Sequence, residues 1–127
     1  LIDAGVEHEL KDLEEDEKME FRREYATLDS GIDSLIKAAY HRLGLMSYFT
    51  TGEKETHAWT VPIGATGPEA GAAIHTDFKQ KYIRAQVVSF EDLVTCGSLA
   101  VAREKGKLRT EGKEYIVKDG DVIEFMI

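Results

Sequence analysis

The chain has 127 residues, enough for one ordinary domain or a small domain with an appendage, and its 43% hydrophobic content excludes wholesale disorder. No apolar run approaches the ~20 residues of a membrane span, and the single cysteine, Cys96, excludes an internal disulfide and points to a reducing, cytoplasmic setting. The formal charge of −8 is local: twelve acids against four bases lie in residues 1–33, a segment that would repel phosphate and argues against generic nucleic-acid binding there.

The first residues, LIDAGVEHEL, lack the basic start and apolar middle of a signal peptide. Residues 9–25, ELKDLEEDEKMEFRREY, read as one charged, solvated helix with acids early and Arg22 and Arg23 late, as the helix dipole prefers; an acidic docking face is the alternative reading. The strongest helix follows. Ile32, Leu35, Ile36, Ala39, Tyr40 and Leu43 fall at the spacing of a wide buried stripe, Asp29 or Ser30 can cap the start, and Gly44 stands where a left-handed C-cap glycine belongs.

After Gly44 the period changes to that of strands. LMSYFT and THAWTVPI flank the turn TGEK as a hairpin, with Trp59 read as a sheet-core residue. IGATGPEAGAAIH then raises the question of a phosphate cradle. The P-loop pattern fails because the fifth position after Gly64 is Glu69 and no Lys-Ser or Lys-Thr pair occurs; the spacing of Gly64, Gly67 and Gly71 also misses the dinucleotide fingerprint. The stretch reads instead as a capped turn, with Glu69 reaching back to the Thr66 amide and Ala70, Ala73 and Ile74 packing a short helix on the sheet. YIRAQVV is a strand alternating Ile83, Ala85 and Val87 against Arg84 and Gln86. Ser89 caps a brief turn, Ser98 opens a short helix ended by Gly106, and EYIVKDGDVIEFMI reads as a hairpin turning at Asp119-Gly120. About five strands with one principal helix make an α+β domain of about eighty residues, for which a β-grasp (ubiquitin-like) sheet is the economical topology.

Chemistry-bearing patterns are few. His8, His41, His57 and His75 form no H-E-x-x-H and Cys96 has no C-x-x-C partner, so neither a metal site nor a catalytic residue is expected. A small hydrolase using Cys96 and a histidine is the remote alternative, and His75 is read as structural at a helix end. Basic residues gather later in the chain: Lys79, Lys81 and Arg84 beside Phe78 and Tyr82, then Arg103, Lys105, Lys107 and Arg109. Brought together they would make a phosphate-contacting face; otherwise they form a solvated rim balanced by Glu104, Glu111 and Glu114.

These residues carry a resemblance. LGLMSYFTTGEKETHAWTVPIGATGPEAGAAIHTDFKQKYIRAQVVSFEDL together with GKLRTEGKEYIVKDGDVIEF closely resembles the C-terminal part of YchF-type (Obg-like) ribosome-binding P-loop ATPases. The resemblance implies a TGS domain of β-grasp fold at residues 44–127, preceded at 1–43 by a helical segment that is the tail of a nucleotidase domain. It implies ATP or GTP with Mg2+ bound by the full-length parent and none by this fragment, where only Ala4 would lie near the base. It further implies the ribosome and its RNA as partner, packing on the protein's own nucleotidase domain, and neither membrane attachment nor DNA sequence specificity. The RNA-contact candidates Lys79, Lys81, Arg84, Arg103, Lys107 and Arg109 rest on charge alone. A purely structural lid over the nucleotidase domain is the alternative.

Overall fold

The computed structural model describes residues 4–24, 31–52 and 55–127. The chain divides into two compact units, Leu1–Leu43 and Gly44–Ile127.

The first unit holds helices α1 (Ala4–Leu10), α2 (Glu15–Glu24) and α3 (Gly31–Leu43). The single helix expected over 9–25 is thus broken. The Leu13 amide closes a turn on the Leu10 carbonyl at 3.2 Å. Glu14 then opens α2: its amide donates to Glu17 Oε2 at 3.1 Å while its carbonyl accepts from the Lys18 amide. A carboxylate three positions into a helix satisfies an amide that would otherwise be orphaned, so a new start costs little here. Glu7 ties the segments together, accepting from the Gly31 amide at 2.8 Å and facing Arg22 Nη2 at 3.5 Å. Helix α3 has its expected extent, and Gly44 takes the left-handed φ of +66°. Its stripe, however, is not buried: Leu35 is 56% and Leu43 71% exposed, with Ile32 and Ile36 close to half exposed. The proposed caps Asp29 and Ser30 lie outside the described residues.

The second unit is a five-stranded sheet of order β2-β1-β5-β3-β4, built from β1 (Leu45–Thr51), β2 (Thr56–Pro62), β3 (Arg84–Ser89), β4 (Arg109–Glu111) and β5 (Asp121–Met126). Strand β1 runs antiparallel to β2 and parallel to β5, whereas β3 is antiparallel to both β5 and β4. This is the β-grasp order. On one face Met46, Tyr48, Val61, Ala85, Val87 and Ile123 form the main core with Ala70 of α4 (Gly67–Ile74) and with Tyr82, which follows α5 (Thr76–Lys81). On the other face Val88 and Val122 pack with Leu93 and Cys96 of α6 (Phe90–Cys96), Leu99 and Ala102 of α7 (Leu99–Glu104), and Leu108.

Three expectations need correcting. Helix α4 buries Gly67, Ala70 and Gly71 rather than Ala70, Ala73 and Ile74. A Cβ on Gly67 would stand 2.6 Å from the Tyr82 hydroxyl, and one on Gly71 would stand 3.1 Å from Phe78 Cβ, so the glycines let this helix approach the aromatic core. Ile83, expected on the core face of its strand, precedes β3 and is 64% exposed. The C-terminal hairpin is absent as well: among the described residues 112–120 there is no strand, only a single bridge from Ile116 to Thr66. The reason lies in where that segment's hydrogen bonds go. The Val117 amide donates to the Ala65 carbonyl and the Tyr115 carbonyl accepts from the Gly67 amide, while the Gly120 amide donates to Ser47 in β1. Strand β5 is thereby fed between β1 and β3 instead of folding back on its predecessor.

Candidate functional site

The glycine-rich stretch resolves into a tight turn. Gly64 has φ of +90°, and the Glu69 carboxylate accepts from both the amide and the hydroxyl of Thr66 at 2.9 Å each. Those two bonds, the amide first, hold the Glu69 carboxyl below the ordinary carboxylate range. An ionised side chain therefore sits at the mouth of α4, where a phosphate cradle would need donors and positive charge. His75 joins α4 to α5, its Nδ1 accepting from the Asp77 amide at 3.2 Å. Cys96 is half-buried in the second core, and among the described residues no cluster of metal-ligating side chains occurs. No helix among them is long and apolar enough to cross a membrane.

The six basic candidates are not gathered into one face. Lys79 and Lys81 ride on α5 and face carboxylates, Glu69 at 3.9 Å and Asp77 at 3.0 Å. Lys107 pairs with Asp92 of α6 at 3.2 Å, and that contact holds Asp92 ionised to lower pH than usual. Arg109 pairs with Glu111 at 3.3 Å and lies 3.8 Å from Asp121. Arg84 and Arg103 differ. Arg84 Nε donates to the sulfur of Met126 at 3.1 Å, and Arg103 Nη2 donates to Gln86 Oε1 at 2.8 Å. Among the described residues neither has a carboxylate within ion-pair range.

Sequence reading missed one polar network. Asp121, 2% exposed, accepts from the Tyr115 hydroxyl at 2.6 Å and from the Lys118 amide at 2.9 Å, and Arg109 Nη2 donates to the same hydroxyl at 3.2 Å. Burial, then the bond to Asp121, pushes the Tyr115 phenol well above the ordinary tyrosine range. The network anchors the irregular segment before β5 and occupies Arg109. Its only signal in sequence is an aspartate directly after the Asp119-Gly120 turn.

Fold and surface together define a β-grasp module with a helical appendage and a patchwork of basic side chains. The family model YchF-GTPase_C, described as a protein of unknown function (DUF933), matches residues 45–127. Similar curated proteins are the ribosome-binding ATPase YchF of Escherichia coli O157:H7, 49% identical over 97% of this chain, and that of Bacillus subtilis (strain 168), 50% identical over 98%. The solved Schizosaccharomyces pombe YchF GTPase superposes with a TM-score of 0.82 at 32% identity, covering 93% of this chain and 31% of that one. The chain belongs to the YchF family and corresponds to its C-terminal domain. It spans about a third (34%) of the length of the curated relatives it matches.

Proposed function

We propose that this chain is the non-catalytic C-terminal module of a cytoplasmic YchF-type ATPase, docking that protein on ribosomal RNA and packing against its nucleotidase domain. The observation that carries the reading is near-complete coverage of this chain, at about half identity, by relatives named ribosome-binding ATPases. Residues 44–127 would be the TGS module and residues 1–43 the tail of the nucleotidase domain. The exposed stripe on α3 supports that division, since a wide apolar helix face is stable only when covered. ATP or GTP and Mg2+ would then bind elsewhere in the full-length protein, with Ala4 at the start of α1 the one residue here near the base. The carboxylate at the mouth of α4 supports the expectation that this chain alone holds no nucleotide. Parallel titration with ATP tests it: the full-length protein binds and the 127-residue chain does not, and binding by the chain alone overturns the proposal.

A second reading, a structural lid without RNA contact, draws support from the ion pairs that occupy Lys79, Lys81, Lys107 and Arg109. Co-sedimentation of the full-length protein with ribosomes decides between them. Reversing the charge of Lys79, Lys81, Arg84, Arg103, Lys107 and Arg109 together abolishes a salt-sensitive interaction if the module docks on RNA, and changes nothing if it is only a lid. Cys96→Ser is expected to leave ATP hydrolysis and ribosome binding unchanged.

A further inference from the structure

The geometry points to a phosphodiester-binding patch on the second face of the sheet, made by Arg84 and Arg103, that grips the RNA backbone. This rests on the ribosome-docking reading and says which of the basic residues performs it. Arg84 and Gln86 alternate with the buried Ala85 and Val87, so both side chains stand on the face that α7 partly covers. Two residues along a strand is about 7 Å, a distance of the order separating consecutive phosphates of a nucleic-acid strand. Arg103 of α7 is brought to Gln86 by its 2.8 Å bond, which places its guanidinium on the same face of β3 as Arg84. Thr110, in register with Gln86 on β4, adds an exposed hydroxyl to the same face.

What distinguishes the pair is the chemistry of its partners. A thioether and a carboxamide orient the two side chains while leaving their charge intact, and each guanidinium keeps donors to spare. The four other candidates each face a carboxylate that competes with phosphate for the same donors. Acids border the patch: Glu124 lies in register with Gln86 on β5, Glu104 follows Arg103 on α7, and both are exposed. These acids weaken the grip of the two arginines, and neither arginine has one of them within ion-pair range among the described residues.

The test uses the full-length protein, bacterial ribosomes and a range of salt. Arg84→Gln with Arg103→Gln is expected to weaken binding roughly ten- to a hundredfold and to reduce the salt slope by about two, one for each phosphate left without its arginine. Lys79→Gln, Lys81→Gln and Lys107→Gln combined are expected to weaken binding less than the arginine pair does, since each of these lysines already faces a carboxylate. The reverse pattern overturns the patch and leaves ribosome docking standing, whereas failure of the unaltered protein to bind overturns both. Two milder variants decide the matter should the double variant misfold. Glu124→Gln is expected to tighten binding and Gln86→Ala, which releases Arg103 with its charge intact, to weaken it; no change in either overturns the patch. A polyglutamate chain that competes as well as an RNA of equal charge overturns the assignment to phosphodiester.

Discussion

Helices α3 and α4 invite comparison because their sequences and their burial run in opposite senses. Helix α3 carries large aliphatic side chains at helical spacing, yet those side chains are about half exposed or more. Helix α4 offers glycines and alanines, yet Gly67, Ala70 and Gly71 are buried against Tyr82, Phe78 and Phe125. A hydrophobic stripe says that a helix has an apolar face; it does not say that the covering surface belongs to the same chain. A small-residue stripe is quieter in sequence but demands closer contact, because backbone meets ring with nothing between. The tighter packing belongs to the weaker pattern.

The comparison breaks most readily at Gly67. Gly67→Ala places a methyl 2.6 Å from the Tyr82 hydroxyl, which itself donates to the carbonyls of Glu111 and Gly112, so a loss of about 3 kcal/mol is expected in chemical denaturation. A loss under about 0.5 kcal/mol would mean that α4 has room to retreat. On α3, Leu35→Ser with Ile36→Ser should change the stability of the 127-residue chain by no more than about 0.5 kcal/mol, yet cost the full-length protein about 2 kcal/mol. Equal effects in both would show that the stripe finds its cover within this chain.

A smaller effect sharpens the role of the Tyr115–Asp121 bond. Removing the hydroxyl in Tyr115→Phe leaves Asp121 buried with one donor fewer, for about 1–2 kcal/mol. Its pH signature is specific. The folded-state pKa of Tyr115 is raised, so its contribution is fully present below the ordinary tyrosine pKa of about 10 and is lost as pH climbs from there through the raised value. Thermal midpoints should therefore fall above about pH 10, less steeply in Tyr115→Phe; Tyr48, raised by burial, keeps part of the slope in that variant. The smallest change expected is His75→Ala, which removes the acceptor for the Asp77 amide at the start of α5 and costs about 0.5–1 kcal/mol by differential scanning calorimetry.

Much of this was legible in the residues. The β1–β2 hairpin, the capped turn at Thr66, the serine caps at Ser89 and Ser98 and the left-handed glycine at 44 all follow from local chemistry, and all are present. What escaped reading depends on distant partners. Asp119-Gly120 does turn the chain, but the segment before it spends its hydrogen bonds on residues 65–67, far away in sequence. The break between α1 and α2 turned on one reaching carboxylate, Glu17, that uniform charge had concealed. For the candidate site, the alternation of Arg84 and Gln86 was visible within a single strand, whereas the arrival of Arg103 beside them required knowing where α7 lies across the sheet.

The sheet order has a consequence for how the module assembles. Strands β1 and β2 pair with each other, as do β3 and β4, but the two pairs never touch along the sheet: β5, later in sequence than all four, stands between them. Until that strand arrives, two half-sheets have no shared ladder, and the bond register from Phe49 to Val122 must close a very long loop. Folding of the module should accordingly be slow to commit, because neither half-sheet gains its central ladder until β5 joins both.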